Sequence, residues 1–159
     1  MSRFQKLFGV GPFGFGISLS IFILLWLLDR SLDHVAIAKQ AWLSRLAGLI
    51  LIGIWVCWHV WCLKSIRAWW NADRLCTCGP YRLVRHPIYC GGIFGSGLGV
   101  ALIFNSWVLL SWPVIVYPIW SLLVRREEKM MEAEFGEEYR RYSNLTGRLF
   151  PRIFKRRVH

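Results

Sequence analysis

Charge is missing from three long stretches of this 159-residue chain: no Asp, Glu, Lys or Arg occurs in residues 7–28, 46–63 or 88–124. With 55% hydrophobic residues and ten tryptophans, such runs would leave a soluble domain of this size with a large exposed apolar surface. A bilayer core about 30 Å thick is crossed by about 20 apolar helical residues, so the first two runs each predict one crossing. The third run would extend about 55 Å at about 1.5 Å per residue, enough for two. Asn105 and Ser106, near its middle, predict the turn and the next helix start. The expected fold is an all-α integral membrane protein in a single domain, 1–159. It has about four transmembrane helices, at about 10–28, 46–63, 88–104 and 107–124, and short cytoplasmic helices near the C-terminus.

Acidic residues are scarce: nine, against 20 Lys and Arg, for a net charge of +11. Anionic lipid headgroups account for that excess without nucleic acid. The segment 64–87 carries five basic residues and the tail after Val124 carries ten. The segment between the first two helices has three (Arg30, Lys39, Arg45), and the 105–106 turn has none. The positive-inside rule therefore expects both termini, with Arg3 and Lys6 at the first, and the 64–87 loop in the cytoplasm of an inner, plasma or endoplasmic reticulum membrane. Trp69 and Trp70 read as interfacial anchors on that side. No small-residue cleavage site follows Leu28, so the first helix is expected to be retained. Segment 29–45 predicts a short helix on the outer surface.

The chain lacks a two-residue-spaced cysteine pair. Cys76 and Cys78 flank a single residue, and Cys57, Cys62 and Cys90 fall in or beside expected helices. Neither a disulfide framework nor a metal site is expected; small buried hydrophobes is the reading. No tandem repeat or low-complexity segment occurs. Gly91, Gly95 and Gly99, four apart, predict a close helix–helix contact, with a ligand edge on the first of them as the sharper alternative. Pro113 and Pro118 predict kinks, Gly136 a helix stop, and Tyr139 and Tyr142 one face of a further short helix. His59, within the second span, is either a functional group or a histidine bonded to a neighbouring helix. The final RLFPRIFKRR suits a membrane surface.

One segment is polar where its surroundings are not: GPYRLVRHPIYCGG, 79–92. Arg82, Arg85 and His86 stand at the mouth of the third helix; Arg125, Arg126, Glu127 and Glu128 stand at the mouth of the fourth. A hairpin of those helices would bring the clusters to one depth, forming a polar chamber open to lipid. The bland alternative is arginines gripping lipid phosphates with the glutamates paired to them.

GPYRLVRHPIYCGG, a spacer of about 35 residues, then RREEKMMEAEFGEEYRRY and a final Arg148/Pro151 resemble the isoprenylcysteine carboxyl methyltransferases and the related phospholipid methyltransferases, over about residues 70–152. The resemblance implies a membrane enzyme that moves a methyl group from S-adenosyl-L-methionine to a lipophilic small molecule or lipid. It implies a cofactor pocket lined by Tyr81, His86, Pro87, Ile88 and Tyr89 with the backbone of Asp73, Arg74, Leu75 and Cys76, and with Glu127 as the cofactor-binding glutamate. The family's acceptor-side arginine, four residues earlier, falls on Leu123, leaving Arg125 or Arg126 to stand in as catalytic groups. A prenylcysteine-like carboxylate is the first expectation for the acceptor, since a carboxylate is ionised at neutral pH and no catalytic base is evident. Phospholipid headgroup N-methylation is the alternative. An NADPH-dependent reductase of the steroid-reductase kind and a non-catalytic scaffold are the readings from other classes. The oligomeric state is left open.

Overall fold

This computed structural model describes residues 9–70 and 74–152. Arg3, Lys6, Asp73 and the tail 153–159, together with the side chain of Trp70, lie outside the described residues. The helices are α1 (Gly11–Ser31), α2 (Ala41–Trp70), α3 (Pro87–Ile103) and α4 (Trp107–Leu145), with no strand among the described residues. Three of them, α1, α2 and α4, are long and apolar enough to cross a membrane. The fourth, α3, is shorter but apolar and, at about 1.5 Å per residue, reaches about 25 Å. The all-α membrane architecture is therefore as expected.

The helices overrun the uncharged windows. In α2 the helix continues through Arg45 at one end and Lys64 and Arg67 at the other, because Lys and Arg are good helix formers and leave the bilayer without leaving the helix. Segment 29–45 does not form its own helix. It ends α1, turns through Asp33 and His34, both at positive φ (54 and 52), and enters α2. The turn is fastened to the α3–α4 corner. The Asn105 side chain donates to Ala38 O and accepts from Ala38 N, both at 3.0 Å, and Trp107 N donates to Val35 O at 3.0 Å. These bonds satisfy the backbone without a surface helix. The corner itself is as expected: Asn105 takes φ 55, and the Ser106 hydroxyl accepts from Leu109 N at 3.1 Å as an N-cap.

The glycine face of α3 packs on the aromatic face of α2. A methyl group added at Gly91 would lie 2.7 Å from Trp58, and one at Gly99 would lie 2.7 Å from Ile52. Close packing is thus the use of this face, and Trp58, donating from Nε1 to Pro87 O at 2.9 Å, covers the first glycine. Gly91–Ser96 forms wider π-type turns within α3. His59 leans on Trp55 at 5.5 Å between centroids, and its Nδ1 has no hydrogen-bond partner. It faces neither the cavity below nor a bonded neighbour.

Pro113 sits in the first turn after the irregular Ser111, where its missing N–H costs nothing, and residues around Pro118 keep helical dihedrals. The break comes instead at Gly136, with φ 53 and ψ −122. Beyond it the helix resumes to Leu145 with Tyr139 and Tyr142 turned inward and buried, as their spacing predicts.

Candidate cofactor cavity

Glycine and two prolines keep residues 79–87 from continuing a regular helix. A single 3-10 turn, Gly79–Arg82, buries Pro80 and Tyr81, and the Tyr142 hydroxyl donates to Tyr81 O at 2.7 Å. Residues 84–86 then run beside 147–148. Arg85 N donates to Gly147 O at 2.8 Å and His86 N to Arg148 O at 3.1 Å, next to a parallel bridge between Val84 and Gly147. The C-terminal strap, residues 146–152, is thereby laced to the root of α3, which Pro87 opens.

Between this root and the C-terminal half of α4 lies a cavity of about 260 Å³. Of the residues expected from the sequence, Arg74, Leu75, Cys76, Tyr81, His86, Pro87, Ile88, Tyr89 and Glu127 all line it. Arg125 and Arg126 are exposed and do not. Helical geometry is the reason. At about 100° per residue, Arg125 lies about 200° around the axis from Glu127 and so faces away. Met131 and Phe135 follow Glu127 at four-residue steps and share its face of the helix. With them, Tyr139, Tyr142, Glu134, Arg85 and residues of α2 complete the wall. The i, i+4 series was a readable signal for Met131 and Phe135; nothing in the sequence marked Leu63 or Ile66.

The two adjacent glutamates have different surroundings. Glu127 opens on the cavity, where the Tyr89 hydroxyl donates to its Oε2 at 3.1 Å. Tyr89 is held between His86, whose ring lies parallel at 5.7 Å, and Trp120 at 4.5 Å. Gly9 passes so close that an added methyl would stand 2.9 Å from the Glu127 carboxylate.

Glu128 is turned inward. Its Oε1 accepts from Arg85 Nε at 2.8 Å and Nη2 at 2.7 Å, and its Oε2 from Arg148 Nε at 2.8 Å. The remaining Arg85 donor, Nη1, reaches the carbonyls of Ser143 and Thr146. Burial by itself would raise the Glu128 carboxyl. The imidazole of His86, 3.6 Å away, and the two guanidiniums outweigh it and hold the group well below the usual carboxylate range. Around Cys76, burial pushes the thiol up to about 11, which keeps it a protonated, small hydrophobe beside Tyr81.

The Tyr139 hydroxyl, a buried polar atom of the wall, has no hydrogen-bond partner among the described residues, whereas His86 Nε2 is turned to Glu128 Oε1 at 3.6 Å. An unmet hydroxyl, an available carboxylate and an apolar floor suit a ligand carrying both a cation and an apolar part.

Comparison with known proteins bears on what that ligand is. Over 118 residues the chain is 30% identical to the cobalt-zinc-cadmium resistance protein CzcN of Cupriavidus metallidurans, covering 70% of this chain and 52% of that protein. It is 28% identical over 120 residues to the nickel-cobalt-cadmium resistance protein NccN of Alcaligenes xylosoxydans xylosoxydans, covering 72% of this chain and 54% of that one. It is 32% identical over 69 residues to protein-S-isoprenylcysteine O-methyltransferase A of Arabidopsis thaliana, covering 43% of this chain and 35% of the plant protein. The chain thus spans about half the length, or less, of these curated relatives. No solved structure matches. The family model for phospholipid methyltransferases matches residues 43–138, a span that takes in α2, the Tyr81–Tyr89 segment, α3 and both glutamates, and the chain belongs to that family.

Proposed function

We propose that the protein is a membrane methyltransferase that uses S-adenosyl-L-methionine and methylates a lipophilic acceptor, with the carboxylate of a prenylcysteine-like molecule as the leading substrate class. One observation carries the reading: Glu127 and the Tyr81–Tyr89 segment, 38 positions apart at their nearest, line the same cavity. When bound, the cofactor supplies an electrophilic methyl group on a sulfonium centre. Glu127 receives its ammonium as a charge-assisted acceptor. Arg74, exposed at the rim and resting over Trp69 at 5.9 Å, takes its carboxylate. The Tyr139 hydroxyl meets a polar edge, while Ile88, Met131 and Phe135 supply the apolar floor. Tyr89, fixed by its stack and its bond to Glu127, walls the cavity on the α3 side.

A carboxylate acceptor needs alignment and removal of water more than a base. Phospholipid headgroup N-methylation is the second reading, and the family match favours keeping it. The metal-resistance names of two relatives describe those proteins and alter neither reading.

The test is incubation with methyl-labelled S-adenosyl-L-methionine and membrane lipid extract. Base-labile label in the lipid fraction is expected for a methyl ester. Base-stable label would move the assignment to an amine, and no labelled lipid at all would refute the proposal. In detergent, titration should show cofactor binding that Glu127→Ala abolishes; unchanged affinity would remove Glu127 from the site, and NADPH binding in its place would point to a reductase.

A further inference from the structure

On the far side of α4 from the cofactor cavity lies a second, open groove, with Tyr117, Pro118, Ser121 and Leu122 along its length and Arg125 and Arg148 toward one end. We propose that this groove is a binding site for one anionic phospholipid, its phosphate seated between Arg125 and Arg148 and its acyl chain lying along Tyr117, Pro118 and Leu122.

Three observations support this occupant. Leu122 is 61% exposed, two residues before the uncharged run ends at Val124, so the groove crosses from hydrocarbon depth to headgroup depth. Among the described residues Arg125 has no hydrogen-bond or ion-pair partner, an arginine without a counter-charge beside an apolar trough. Arg148 spends Nε and Nη2 on Glu128 and keeps Nη1 for a further acceptor. Planar guanidiniums grip phosphate oxygens in pairs.

The site is separate from the proposed reaction, since Arg125 and Glu127 face opposite sides of one helix. Arg148 nevertheless links the two, because the Glu128 that it holds also holds Arg85, a cavity residue. The lipid is therefore placed to steady the strap rather than to accept a methyl group.

Native mass spectrometry of the full chain, equilibrated with equal phosphatidylglycerol and phosphatidylcholine, tests this without any activity readout. Wild type should retain one phosphatidylglycerol preferentially. Arg125→Gln should cut that preference about fivefold, whereas Arg126→Gln, one step around the exposed helix and outside the groove, should leave it intact. Equal retention of the two lipids by wild type would overturn the proposal. So would equal losses in the two variants, which would mean general surface charge, or displacement by excess inorganic phosphate, which would mean an anion site without a lipid.

Discussion

Glu128→Gln keeps the size of the side chain and removes its charge. In the native arrangement Glu128 and Arg85 are each about 11% exposed, and Arg148 is 34% exposed. Breaking a buried pair by neutralising one partner costs about 3–5 kcal/mol. The lower end applies here, because Arg148 can turn to water and Arg85 keeps the carbonyls of Ser143 and Thr146. A cost of about 3 kcal/mol falls on the closed state of the strap, and so multiplies its open population by roughly 150. The amides of Arg85 and His86, which donate across the junction to Gly147 and Arg148, report this opening directly. Hydrogen exchange in detergent should show their protection falling about a hundredfold while α2 is unaffected; a change below threefold would refute the role given to the cluster. Acid should imitate the substitution. The folded carboxyl is held below its ordinary value of 4.5, so its stabilisation is complete above that value and is lost as pH falls through the folded one. Protection, corrected for intrinsic rates, should therefore hold from neutrality to about pH 4.5 and decline below it, and Glu128→Gln should abolish that dependence.

Gly91→Ala places a methyl group 2.7 Å from Trp58, whose indole is bonded to Pro87 O; a loss of about 1–3 kcal/mol in thermal stability is expected, and an unchanged midpoint would show that α2 and α3 have slack there. Ser106→Ala removes both a helix cap and the 2.6 Å bond to the buried Asp29, leaving that carboxylate with His34 at 2.7 Å. It should destabilise by about 1–2 kcal/mol, read as a lower thermal midpoint in detergent, and equal stability would discount the corner as a fastening. Single cysteines introduced at Val35 and Leu145, both exposed, should react with impermeant maleimide from outside and only after permeabilisation, respectively; the opposite pattern would invert the orientation.

Much of the fold was legible because membrane crossing is a matter of local composition. The uncharged windows predicted the helices, Asn105-Ser106 the corner between α3 and α4, Gly136 the break, and the four-residue glycine spacing a close helix contact, though not that its partner is α2. Helix ends were less legible, since a charge stops a crossing without stopping hydrogen bonds along the backbone. Segment 29–45 was misread for a related reason: its backbone is satisfied by Asn105 and Trp107, about 70 residues away, and no local pattern announces that.

By itself the sequence determined that the chain crosses a membrane and that two polar blocks stand at the ends of neighbouring helices. The resemblance already pointed to Glu127 in the second block; where its three neighbours go was decided only by tertiary structure. Arg125, Arg126, Glu127 and Glu128 are consecutive, and the rotation of α4 against α3 sends Glu127 into the cavity and Glu128 into a buried ion cluster. The same rotation turns both arginines outward. Rotation about a helix axis is set by everything packed against the helix, here Trp120 on Ser18 and the strap beside Val84, and those contacts join parts of the chain that no short window contains.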